Sequence, residues 1–138
     1  MTQTIVIVGG GFAGTTLARA LDRRPPPGYE LLLVSEESYT TFHPMLPEAV
    51  GASIFPEQVV APIREMLKQG RFVVGRVSRV DIADRELTRS TLAGEVILPF
   101  AHLVFAFGNR ARQEAARLHA RQHGDAFHID CGALRSFA

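Results

Sequence analysis

Gly9, Gly11 and Gly14, in the run Gly9-Gly10-Gly11-Phe12-Ala13-Gly14, have the spacing G-x-G-x-x-G. The chemistry this spacing suits is the holding of a pyrophosphate. Gly9 permits a tight turn, Gly11 has no Cβ to keep a phosphate from the backbone, and Gly14 lets a helix pack closely on a strand. The unpaired N–H groups and positive dipole end of that helix, with Phe12 and Ala13 in its first turn, then face the phosphates. A glycine-rich turn without a ligand would carry the same residues, so the motif gains meaning only between a strand and a helix. A dinucleotide site also needs an acidic residue about 20 positions on, after the next strand, to hold ribose hydroxyls. Glu36 answers that need, with the Ser35 hydroxyl before it and Glu37 after it. Two solvated surface acids would read the same way. No arginine stands here to receive a 2′-phosphate, which disfavours an NADP-type ligand.

The elements around these residues supply the context. Residues 4–8 are β-branched and, apart from Thr4, apolar on both faces, as in a central parallel strand. Residues 12–24 read as a helix, with Leu17, Ala18 and Leu21 at helical spacing, ended by Pro25-Pro26-Pro27-Gly28. Residues 30–34 are a second buried strand, which completes a βαβ unit with a right-handed crossover. Residues 35–53 form a long irregular loop carrying Tyr39, Phe42, His43, Pro44 and Pro47. A helix is predicted over 55–69, with Ile54 as a hydrophobic staple, Pro56 in its first turn and Gly70 closing it. Strands are predicted over 71–81 and 86–92, then over 103–107 ending at Gly108. The expected fold is α/β: a Rossmann-like parallel sheet with a βαβ start and a small antiparallel β-meander between Phe72 and Leu98.

Composition sets the limits. The chain has 138 residues, a formal net charge of +1, 46% hydrophobic and 21% charged residues. That suits one domain and is too short for two full nucleotide-binding domains of about 100–150 residues each. The near-neutral charge argues against nucleic acid as a partner. A single cysteine, Cys131, excludes an internal disulfide framework and a Cys-x-x-Cys redox pair, and suits a reducing compartment. The apolar run 96–108 contains His102 and is too short to span roughly 30 Å of hydrocarbon. The N-terminus has no basic region before its apolar run, so no signal peptide is read there. A cytoplasmic location is expected.

Other residues are weaker candidates. His119 and His123, four apart, precede His128, Asp130 and Cys131, but such spacing arises easily in an Arg- and His-rich stretch, and no metal site is assigned. His43 could act as an acid or base, although a loop histidine packed on Pro44 is the plainer reading. Tyr39 and Phe42 read as loop anchors, and Arg71, Arg76 and Arg79 as a solvated strand edge. No residue has the setting of a catalytic acid, base or nucleophile.

The run 5–21 (IVIVGGGFAGTTLARAL) resembles the N-terminal FAD fingerprint of flavoproteins with two dinucleotide-binding domains. Residues 33–51 (LVSEESYTTFHPMLPEAVG), and above all Tyr-x-x-Phe-x-Pro-x-Leu-Pro from Tyr39 to Pro47, resemble the type II NADH dehydrogenases, the NADH:quinone oxidoreductases of the pyridine nucleotide-disulfide oxidoreductase superfamily. Residues 99–108 (PFAHLVFAFG) are similar to that family's second FAD segment, with Phe107 in place of a threonine. The resemblance implies FAD as the cofactor. Gly9, Gly11, Phe12, Ala13 and Gly14 would line its pyrophosphate, and Glu36, helped by Ser35, would hold the adenosine ribose. A strand over 72–77 would pass the adenine, with Val77 as a backbone contact. Residues 41–46 would run beside the flavin, and Ala106 and Gly108 would approach it from the second segment.

The resemblance also implies a second Rossmann unit for NADH and a C-terminal membrane-attaching region, neither of which is found in these 138 residues. The expected division is a partial FAD-binding domain over 1–110 and a poorly integrated tail over 111–138. Residues 109–138 hold five arginines, three histidines and seven alanines, a shift that points to truncation or a frameshift. The expected function is the FAD-binding segment of an NADH dehydrogenase-like oxidoreductase, inactive alone, with any place at the inner face of a membrane coming through the missing C-terminal region. The alternatives are a stand-alone non-catalytic module holding FAD or NAD, one part of a split enzyme completed by an NADH-domain polypeptide or a homo-oligomer, and a non-functional remnant.

Overall fold

The computed structural model describes residues 2–108. Strands β1 (Gln3–Val8) and β2 (Tyr29–Ser35) lie side by side and parallel, in register from Gln3↔Tyr29 to Val8↔Val34. Between them the chain runs through helix α1 (Phe12–Arg23). Strand β5 (Arg71–Val74) pairs with the far side of β2, and β9 (His102–Phe105) with the far side of β1. The sheet order β5-β2-β1-β9 is all parallel, as the doubly apolar strand sequences predict.

Alternate residues of the two central strands enter two separate cores. Val6, Val8, Leu32 and Val34 face one side and pack with Leu87 and Phe100. Ile7, Leu31 and Leu33 face the other and pack with Ala18 of α1 and with Ile63. This is the two-residue period of a strand covered on both faces. Helix α1 presents Gly14, Thr15, Ala18 and Asp22 inward at helical spacing. The other face is covered by an antiparallel meander, β6 (Arg76–Asp81), β7 (Glu86–Thr91) and β8 (Gly94–Pro99). Its first turn is held by Asp81, whose Oδ1 accepts the N–H groups of Ala83 and Asp84 at 3.1 and 3.2 Å. Those bonds, the Asp84 one foremost and with Arg79 beside it, outweigh desolvation and hold the Asp81 carboxyl below its ordinary range.

The structure departs from expectation at three places. The predicted helix over 55–69 is a 3-10 turn (Pro56–Gln58), a short strand β4 (Val60–Pro62) and a one-turn helix α3 (Ile63–Met66). Pro62 is the cause: it has no N–H to give and disfavours helical backbone at Ala61 before it. The loop over 35–53 contains β3 (Tyr39–Thr41), a 3-10 turn (His43–Met45) and α2 (Leu46–Val50), because β3 finds an antiparallel partner in β4. The run 71–81 is two strands, divided at Gly75. The Gly75 N–H donates to the Ser35 carbonyl at 2.8 Å as the chain leaves one sheet for the other. A Cβ on Gly75 would stand 3.0 Å from the Ser90 carbonyl oxygen, so the crossing is tight and any side chain there would need β7 to give by a few tenths of an ångström. The expectations for 109–138, among them the tail, the frameshift and the His119–Cys131 group, lie outside the described residues.

Candidate functional site

The carboxyl ends of the parallel strands meet at a glycine corner. From β1 the chain moves outward to β2 and β5, then returns to add β9 on the opposite side. The switch point therefore lies between β1 and β9, where ligands of open α/β sheets bind. Gly9 leaves β1 with φ of +119°, and its N–H donates to the Val34 carbonyl at 2.8 Å. The chain after β9 passes directly against it: the Ala106 N–H donates to the Val8 carbonyl at 2.7 Å. A Cβ on Gly9 would overlap the Ala106 carbonyl and lie 2.8 Å from the Phe107 Cα. A Cβ on Gly14 would overlap the Gly9 carbonyl oxygen, so α1 packs on the corner at a distance only glycine allows.

Gly11 is different. Nothing lies within 4 Å of where its Cβ would stand. It is the N-cap of α1, no side chain caps that end, and no acidic residue occupies the first turn. Phe12 and Ala13 beside it are exposed. Inside the same turn, the Thr15 N–H and hydroxyl both donate to the Gly11 carbonyl, at 3.0 and 2.8 Å. The helix end thus offers first-turn N–H groups and a positive dipole end with no acidic side chain in that turn.

A second group gathers at the end of β2. The Ser35 Oγ accepts the Glu37 N–H at 3.3 Å, and the exposed Glu36 Oε1 lies 3.9 Å from Arg76 Nε. Arg76 opens β6, so Val77 stands next to this pair. Val77 is placed differently from expectation: it belongs to the meander, opposite Arg89, and not to the strand of the parallel sheet. Its side chain packs into the core with Val34 and Leu87. Ala106 lies against Gly9 and Gly14, and Gly108 is exposed with φ of +54°.

Several residues take other places. His43 is exposed in its 3-10 turn. Tyr39 and Phe42 are 43% and 46% exposed, and it is the Phe42 backbone N–H, bonded to the Val59 carbonyl at 2.7 Å, that anchors the loop. Arg71, Arg76 and Arg79 are exposed. A cavity of about 200 Å³ runs along α1 beside the corner, lined by Phe12, Thr15, Thr16 and Arg19 on the helix and by Thr40, Thr41 and Phe42 opposite. Sequence reasoning left Gly10 without a task. A Cβ there would strike Ser35 and lie 2.5 Å from Ile63 Cδ1, and the signal was a third consecutive glycine beyond what the motif requires. Among the described residues no three His, Cys, Asp or Glu side chains gather as a metal site, and no helix is long and apolar enough to cross a membrane.

The sequence matches the pyridine nucleotide-disulphide oxidoreductase family over residues 3–136. It is 28% identical over 108 residues to the type II NADH:quinone oxidoreductase NdhA of Mycobacterium tuberculosis, covering 75% of this chain and 22% of that protein. It is 26% identical over 117 residues to an external alternative NADH-ubiquinone oxidoreductase, mitochondrial, of Yarrowia lipolytica, covering 77% of this chain and 20% of that one. Among solved structures, NDH2 from Plasmodium falciparum in complex with NADH superposes with a TM-score of 0.72 at 22% identity, over 83% of this chain and 24% of that one. The sulfide:quinone oxidoreductase of Aquifex aeolicus does so with a TM-score of 0.65 at 22% identity, over 79% and 25%. These two structural likenesses show the fold. The chain spans about a fifth of the length of these curated relatives. The family's members are FAD-dependent flavoproteins. With its glycine corner, its parallel sheet and a match over nearly its whole length, this chain belongs to the pyridine nucleotide-disulphide oxidoreductase family.

Proposed function

We propose that this chain is the FAD-binding segment of an NADH dehydrogenase-like flavoprotein oxidoreductase. The observation that carries the reading is the open, uncapped N-terminus of α1 at Gly11, set at the switch point of a parallel sheet. Gly9 and Gly14 shape the corner. The N–H groups of Gly11, Phe12 and Ala13 hold the pyrophosphate, Glu36 with Ser35 holds the adenosine ribose, and the Val77 backbone meets the adenine. Ala106 and Gly108 approach the flavin from the other side of the switch point. Bound FAD would supply the redox chemistry between NADH and a quinone. This chain's own part is to bind and orient it.

In this reading residues 1–110 form a partial FAD-binding domain and 111–138 a tail. The NADH site and any attachment to the inner face of a membrane come from further polypeptide. Phe42, Val50, Phe55 and Val60 are 39–82% exposed, which fits a surface that a further domain or polypeptide covers. The test is to purify the chain, add FAD, remove excess and record the absorbance spectrum, then add NADH and a quinone. Retained flavin bands with no NADH oxidation are expected. A colourless chain sinks the FAD assignment, and NADH oxidation sinks the claim that the segment is inactive alone.

A further inference from the structure

Asp22 is a buried carboxylate to which the nucleotide site gives no task. It is 5% exposed and lies one residue from the end of α1, at the helix's negative pole. Burial and dipole both disfavour an anion there. Its oxygens accept three backbone N–H bonds from a turn 46 to 48 residues further on: Lys68 at 2.6 Å on Oδ2, and Gln69 and Gly70 at 2.9 and 2.5 Å on Oδ1. Burial pulls the carboxyl up, but these bonds and the Lys68 charge outweigh it and hold it below its ordinary 3.8.

That turn leads straight into β5. Strand β5 has four residues, Arg-Phe-Val-Val, and pairs only with β2 among the described residues. So short an edge strand has little alternation of its own to fix its register. Its start is pinned instead. A Cβ on Gly70 would stand 3.0 Å from Leu31 Cδ2 and 3.2 Å from Asp22 Oδ1, so the turn is drawn tight against α1 and β2. The other end of β5 delivers Gly75 to the Ser35 carbonyl, Arg76 to Glu36, and then Val77.

We infer that Asp22 is a positioning residue for the adenosine end of the bound dinucleotide. By holding the N–H groups of Lys68, Gln69 and Gly70, it sets how far β5 reaches along β2 and hence where Arg76 and Val77 stand beside Glu36. One rigid helix then serves both ends of the ligand: its first turn faces the pyrophosphate, and its last turn fixes β5, which leads through Gly75 to Arg76 and Val77 at the adenosine end. The inference rests on reading Glu36 and Val77 as adenosine contacts.

The test uses the full chain with FAD and with FMN, which lacks the adenosine and the phosphate next to it. Asp22→Asn keeps the side chain's shape but turns an N–H donor toward a backbone donor. Lys68→Pro removes one donor from the turn side, and the extended Leu67 before it (φ −107°, ψ 135°) accepts a following proline. Both variants are expected to weaken FAD binding, about tenfold for Asp22→Asn, while FMN binding stays within about twofold. Amide exchange at Gly75 is expected to quicken in both variants without ligand. Equal losses for FAD and FMN make Asp22 a purely structural residue and overturn the inference, as does unchanged exchange at Gly75. If Gly75 exchange quickens but the parent chain binds no flavin, the proposed function fails and takes the adenosine role with it, while the link from Asp22 to the end of β5 stands.

Discussion

The two sides of the glycine corner differ in what fills the space beside them. On the inward side, a methyl group added at Gly9, Gly10 or Gly14 runs into protein: the Ala106 carbonyl, the Ser35 and Ile63 side chains, and the Gly9 carbonyl respectively. On the outward side, a methyl added at Gly11 meets nothing within 4 Å. One short motif therefore holds two kinds of glycine. Three are required by the fold, and one is required by nothing that the polypeptide itself supplies. The contrast separates stability from binding, and substitutions ranked by their cost can break it.

Gly14→Ala carries the largest expected cost, more than about 3 kcal/mol, because the methyl overlaps the backbone oxygen of Gly9 and that backbone cannot retreat. It is held by the Gly9 N–H bond to Val34 on one side and by the chain at Ala106 on the other. Loss of the cooperative melting transition in circular dichroism is the expected result. A variant melting like the parent breaks the inward half of the contrast. Gly9→Ala follows at about 3 kcal/mol, combining a left-handed backbone with the overlap on Ala106. A drop of less than about 1 kcal/mol in chemical denaturation would mean that the β9 end yields more easily than its hydrogen bond to Val8 implies.

Gly10→Ala is milder, about 1–2 kcal/mol, since its neighbours are the Ser35 side chain and the far end of Ile63, and side chains can give where backbone cannot. Adding Ile63→Val, which removes the Cδ1 in the way, is expected to recover part of that loss, so the double variant is more stable than the sum of the two single losses. Strict additivity in a denaturation series would show that the two groups do not compete for the same space.

The inward side was readable in the sequence because it depends on local pattern. Val6, Ile7, Val8 and the run Leu31 to Val34 are apolar on both faces, and a glycine turn between such strands has few solutions other than a βαβ unit. The meander was readable for the same reason, through turns and alternation. The reading failed where pairing decides. Ile54, Pro56 and Gly70 mark the ends of a helix over 55–69, but Pro62 inside it interrupts the helix, and the antiparallel partner that β3 offers to residues 60–62 lies outside any local window. Gly75 was likewise read as a strand residue, because nothing local says that the chain changes sheets there. Asp22 was invisible as a fixing point: its partners are backbone N–H groups, which no residue type announces.

The smallest effect on the fold should come from Gly11→Ala. Gly11 has φ of −75° and ψ of −172°, extended backbone open to any residue, and its Cβ would point into free space. Alanine is a poorer helix N-cap than glycine, so a cost below about 1 kcal/mol is expected. Ligand binding should behave in the opposite way. A phosphate must come within about 3 Å of the N–H groups at this end of α1 to hydrogen-bond with them, and the added methyl stands in that approach. FAD affinity is therefore expected to fall at least about tenfold in a protein that melts almost like the parent, with melting and flavin titration read from one preparation. If Gly11→Ala unfolds the chain, the outward glycine is structural after all and the contrast collapses. If it folds and binds FAD unchanged, the open end of α1 is not where the pyrophosphate sits, and the site must be sought elsewhere along the sheet.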